Sequence, residues 1–118
     1  MKLLTKPLEA KLIANFRKNL VHIERDGNTE DLKPVVKFFG GGACTWLITE
    51  LDPDTNDMFG LCDIGQGFAE LGSVSFDELK ALKFPPFGLP LERDMWFEAD
   101  KTIGEYASEA RNLGRINA

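Results

Sequence analysis

Residues 35–75 read VVKFFGGGACTWLITELDPDTNDMFGLCDIGQGFAELGSVS, and this stretch decides the fold. Within it, residues 35–39, 43–51, 58–63 and 69–75 carry the β-branched, aromatic and alternating apolar residues of strands. The breaks between them hold turn residues: Gly40-Gly41-Gly42, then Asp52-Pro53-Asp54-Thr55-Asn56-Asp57, then Ile64-Gly65-Gln66-Gly67-Phe68. Glycine reaches positive φ, proline fixes φ, and Asp or Asn side chains bond their own backbone, so each break suits a hairpin. Side chains alternate along a strand. Val36 and Phe38 therefore share one face, with Val35, Lys37 and Phe39 on the other. In the next strand Cys44, Trp46, Ile48 and Glu50 oppose Thr45, Leu47, Thr49 and Leu51. Three or more such strands give a usable apolar face.

Outward from this core, residues 5–19 form a helix. Leu8, Leu12, Ile13 and Phe16 recur at helical spacing, and Thr5 with Pro7 marks the start. Residues 20–33 read as a short strand or a long loop: Val21 and Ile23 alternate with His22 and Glu24, and Asp26-Gly27-Asn28 reads as a turn. Ser75 with Glu78 starts a short helix to residue 82. Residues 84–91, FPPFGLPL, form a fixed connector, and Met95-Trp96-Phe97-Glu98 a last strand. Thr102 and Glu105 make a capping box for a helix over 102–113, with fraying expected over 114–118. The expectation is one domain, 1–118, of the α+β class: a mainly antiparallel sheet of four to five strands, an N-terminal helix and shorter C-terminal helices.

The chain has 118 residues and a formal net charge of -5. Residues 1–25 are net basic, whereas no lysine or arginine occurs from Phe38 to Leu79. That balance argues against a broad phosphate-binding face. A nucleic-acid-binding accessory role would centre on the basic N-terminal helix. The apolar runs are too short to cross a bilayer, no secretory leader is evident, and a cytoplasmic location is expected. Cys44 and Cys62 lack metal-binding spacing, and reduced, buried thiols are the simplest reading.

No catalytic, cofactor or metal signature stands out. The glycine triplet lacks the lysine of a phosphate loop. The residue-52–57 turn has Asp57 where a calcium loop needs glycine. Cys44 with His22 could form a nucleophile pair only if the fold joins them. Glu50, Glu92, Arg93 and Asp94 could serve a small hydrolase that uses carboxylates, given a common cleft. The favoured reading is a non-enzymatic protein-binding or regulatory domain. Its acidic residues Asp52, Asp54, Asp57, Asp63 and Glu70 would meet a basic protein partner. Leu89, Arg93 and Trp96 are further contact candidates, because arginine and large apolar groups contribute strongly to interfaces. Trp46, Phe59 and Trp96 are expected to help build the core.

Several segments together resemble a bacterial family, domain of unknown function 2958. They are MKLLTK at 1–6, VVKFF at 35–39, TWLITELD at 45–52, FGLCDIGQGFAELGSVSFDELKAL at 59–82 and PFGLPLERDMWFE at 86–98. The resemblance covers most of the chain. It implies small proteins of bacteria, plasmids and other mobile genetic elements. Roles in element maintenance, DNA metabolism or interference with host defence follow from that context. It implies no catalytic mechanism.

Overall fold

A 21-residue helix, α1 (Lys6–Asp26), opens the fold of the computed structural model, which describes residues 2–118. The Thr5 hydroxyl accepts the Leu8 N–H at 3.4 Å, and Gly27, at φ 74°, closes the helix by donating to the Ile23 carbonyl at 2.9 Å. The helix thus runs on past residue 19, through the segment expected as strand or loop. Val21 and Ile23 are exposed on its last turns, so their alternation carries no strand burial. The turn read at Asp26-Gly27-Asn28 is the left-handed cap that ends this helix at Gly27.

The decisive stretch forms four consecutive antiparallel strands: β1 (Val36–Gly40), β2 (Cys44–Leu51), β3 (Asp57–Asp63) and β4 (Ala69–Ser75). Helix α2 (Phe76–Ala81) follows, with Ser75 as its N-cap. Two-residue strands β5 (Lys83–Phe84) and β6 (Leu89–Pro90) form a separate hairpin. Strand β7 (Glu92–Arg93) pairs with β1, giving the sheet order β4-β3-β2-β1-β7. The expected last strand over 95–98 is not formed. The chain turns there, and the ladder ends two residues before Met95. Helix α3 (Ile103–Leu113) has the expected capping box: Glu105 N–H donates to Thr102 Oγ1, and Thr102 N–H donates to Glu105 Oε1. The architecture is α+β, a five-stranded antiparallel sheet flanked by helices.

Two apolar clusters form on the two faces of the sheet. Leu12 of α1 packs with Val36, Phe38, Trp46, Ile48, Met58, Phe76 and Leu79 on one face. The Phe38 and Phe76 rings stack with centroids 6.4 Å apart. Leu47 and Leu61 pack with Ile103, Tyr106, Ala107, Ala110 and Ile116 on the other. Strand β2 is bulged: Ile48 faces Gly60 and Glu50 faces Phe59, which leaves Thr49 as the extra residue. The extra residue moves Leu51 to the α1 face with Ile48, against strict alternation. It also explains Gly60, where a Cβ would run into the Leu47 carbonyl oxygen.

Gly40 and Gly41 serve a second close approach. The Phe84 ring lies over them where Cβ atoms would sit, and Gly41 also has a φ of 61°. Beyond the Gly114 cap, where fraying is expected, Ile116 is 8% exposed and its N–H donates to Asp63 Oδ2 at 3.0 Å.

Candidate protein-contact site

The chain from Glu92 to Glu98 turns away from the sheet in a fixed geometry. Asp94 N–H donates to the Lys37 carbonyl at 2.9 Å, which continues the β1–β7 pairing by one residue. The Asp94 carboxylate then accepts the Trp96 N–H at 2.9 Å, and its carbonyl accepts the Phe97 N–H at 3.3 Å. This is an Asx-type turn, in which a short acid side chain replaces a backbone acceptor. Lys37 Nζ lies 3.8 Å from Asp94 Oδ2 and donates to the Ala118 carbonyl at 2.6 Å. Arg93 is anchored by donating to the carbonyls of Lys2 and Leu3 at 2.9 and 2.8 Å.

The backbone of this turn is held, but its largest side chain is not covered. Trp96 is 90% exposed and Met95 62% exposed. The expectation that Trp96 builds the core is therefore corrected: Trp46 is buried, Phe59 is half-buried, and Trp96 stands in solvent. Lys37, Phe39, Arg93, Asp94, Met95 and Trp96 line a shallow depression of about 430 Å³. Phe39 lies opposite Thr45, two residues along β1 from the Lys37–Leu47 pair and on the same face, beside the edge strand β7. Helix α3 packs on β3 and β4, and its Tyr106 lines a neighbouring depression with Asp94 and Trp96.

The other expected contact residues are dispersed. Asp52, Asp54 and Asp57 gather in the β2–β3 hairpin. There Asp52 N–H bonds the Asp57 carbonyl at 2.8 Å and Asp54 N–H bonds Asp52 Oδ1 at 2.9 Å. Asp77 joins them through Asn56 Nδ2 at 2.9 Å, and this hydrogen bond, with Lys80 beside it, holds its carboxyl below its usual range. Asp63 lies at the opposite end of β3 and is only 3% exposed. Its two oxygens accept the N–H groups of Gly65 and Ile116 at 2.8 and 3.0 Å, so it holds backbone together inside the protein. Glu70 lies across β3 and β4 from Cys62, exposed on the outer strand. Leu89 is exposed on the β5–β6 hairpin and does not line the Trp96 depression.

The groups proposed for hydrolysis are not joined. Glu50 sits on β2 beyond the Ile48–Val36 pair, whereas Glu92 and Arg93 pair with Phe39 and Phe38 toward the other end of β1. Glu50 Oε2 instead accepts Asn19 Nδ2 at 2.9 Å, and burial pushes its carboxyl above the usual value although Asn19 and Thr49 hydrogen bonds oppose this. His22 faces Glu30 at 3.4 Å and Arg25 at 3.3 Å. Burial raises both thiols, Cys62 to about 11 with help from the charge of Glu70, so neither is activated as a thiolate at neutral pH. Among the described residues, no group of three or more His, Cys, Asp or Glu is arranged to hold a metal. On the basic helix, Lys18 pairs with Glu30 at 2.9 Å and Arg25 with Asp26 at 3.7 Å. Among the described residues, no helix is long and apolar enough to cross a membrane.

Sequence reasoning picked out Trp96 and Arg93 but missed Phe39 and Met95. The alternation that put Phe39 beside Lys37 was a usable signal. What hid the site was reading Met95-Trp96-Phe97 as strand. No curated protein and no solved structure matches this chain. A family model described as "Protein of unknown function (DUF2958)" matches residues 3–117, and the chain belongs to that family.

Proposed function

We propose that the chain is a non-enzymatic protein-binding domain whose contact face is the Trp96 depression. The observation that carries this reading is an exposed tryptophan on a turn already fixed by hydrogen bonds. A rigid aromatic anchor loses little conformational freedom on binding, and tryptophan, methionine, phenylalanine and arginine are enriched in interface cores. The net charge of -5 and the hairpin acids Asp52, Asp54 and Asp57 favour a basic protein partner through long-range attraction. In the mobile-element setting that the family resemblance implies, such a contact would regulate the element or interfere with host defence.

The test is comparative capture from cell extract with wild type and Trp96→Ser. The variant removes a solvent-exposed ring, so its thermal midpoint should match wild type. A partner retained by wild type and lost at least tenfold by the variant supports the reading. Identical sets of retained proteins would refute it.

A further inference from the structure

Strand β4 is the outer strand of the sheet at the edge opposite β7, and among the described residues it pairs only with β3. Edge strands present unpaired backbone groups, and proteins that leave them unused blunt them with charged side chains, lysine above all, with proline or bulges, or with a covering element. β4, AELGSVS, contains neither lysine nor proline, and Glu70, Leu71 and Ser73 are exposed. Beside it runs a groove of about 350 Å³ floored by Trp46, Cys62, Val74, Leu79 and Leu82. Glu70 and Glu78 rim that groove. Neither carboxylate has a salt-bridge partner among the described residues.

Gly72 adds an independent observation. It sits between Glu70 and Val74 on the groove face, opposite Gly60. Gly60 is required by the bulge, but a Cβ at Gly72 would meet nothing within 4 Å. Glycine weakens a strand interior and often marks a place where another backbone approaches closely. Among the described residues, nothing lies within 4 Å of the space that Gly72 leaves.

We infer that β4 receives an extended, basic segment of a partner protein as a sixth strand. Main-chain hydrogen bonds pair it with the β4 edge. One apolar side chain passes over Gly72 toward Trp46 and Leu79, and lysine or arginine side chains meet Glu70 and Glu78. Charge selects a basic segment here, because neither acid is ion-paired among the described residues and the nearby Lys80 of α2 is engaged by Asp77 at 3.2 Å. This site is at the other edge of the sheet from Trp96 and stands independently of the reading above.

The experiment titrates the labelled full chain with a capped ten-residue peptide and follows amide chemical shifts. Alternate positions of the peptide, those that share one face of a strand, are lysine, valine, lysine, with threonine between them. The comparison peptides carry glutamate in place of each lysine, or carry N-methyl groups on alternate backbone nitrogens. Expected are shifts concentrated over residues 69–75 and affinity at least tenfold above the glutamate peptide. N-methylation of the pairing edge should abolish binding. Gly72→Val suits strand geometry and has open space, so it should keep the wild-type thermal midpoint and bind at least tenfold more weakly. Glu70→Gln with Glu78→Gln should weaken binding and flatten its salt dependence. Equal binding of the lysine and glutamate peptides, wild-type affinity in Gly72→Val, or shifts that spare β4 would each overturn the inference. So would concentration-dependent self-association through β4 without peptide binding, which would assign the edge to a second copy.

Discussion

Replacing Asp63 should uncouple the C-terminal residues from the sheet. Its carboxylate is 3% exposed and accepts two backbone N–H groups, Gly65 at 2.8 Å and Ile116 at 3.0 Å. Hydrogen bonds to a charged group contribute about 1.5–3 kcal/mol each, and an N–H left buried without a partner costs a similar amount. The Ile116 N–H is buried and takes the upper part of that range, while Gly65 is exposed and takes less. Asp63→Ala should therefore destabilise by about 3–4 kcal/mol. Asp63→Asn keeps one acceptor oxygen but turns an NH₂ group toward the other donor, so about 2 kcal/mol is expected. Urea unfolding checks both values: the midpoint should fall while the slope stays constant, the sign of lost stability without a change in exposed surface. Amide exchange adds a local readout, because Ile116 should lose protection before the strands do. An Asp63→Ala protein within about 0.5 kcal/mol of wild type, the range of an ordinary surface change, would refute the clamp. So would an unchanged exchange rate at Ile116.

Glu50 gives a pH prediction. Burial raises its carboxyl above the ordinary value of 4.5, so the folded chain holds that proton more tightly than the unfolded chain. The ionised group thus costs stability above its folded-state value, and the cost disappears as pH falls through that value. Glu50→Gln should be at least as stable as wild type at pH 7–8, with the difference shrinking on acidification toward 4.5; a deficit that grows with pH in urea titrations would contradict this. Gly60→Ala should cost about 3 kcal/mol, the upper end for overpacking, because the clash is with backbone that cannot rotate aside. A thermal midpoint equal to wild type would show that the bulge relaxes.

The four-strand meander is legible because its signals are local: alternation inside each strand and turn chemistry between them. The end of α1 is not, because its last turns pack on little. With Val21 and Ile23 both exposed, the helical period loses its apolar stripe and a short alternation takes its place. Met95-Trp96-Phe97 misleads for a related reason. Aromatic preference for strands reflects burial against neighbours, and Trp96 is left 90% exposed. Leu51 escapes because one extra residue at Thr49 exchanges the faces beyond it. Among the acids, the sequence could not separate Asp63, turned inward onto backbone, from Asp52, Asp54 and Asp57 in their exposed hairpin. That difference depends on which chain segments arrive from far away.

The strand order also sets a hierarchy of opening. Strands β1 to β4 join neighbours in sequence through short turns, so their pairing closes small loops at modest entropic cost. The rim is held by ties between distant positions: Asp63 to Ile116 across 53 residues, Lys37 to Ala118 across 81, and Arg93 to Leu3 across 90. Each of these ties can break while the meander stays paired. The two-residue β7 thus opens before the meander, while the turn that displays Trp96 keeps its local bonds from Trp96 and Phe97 to Asp94. Hydrogen exchange there reports local excursions of the rim, and the central strands report global unfolding.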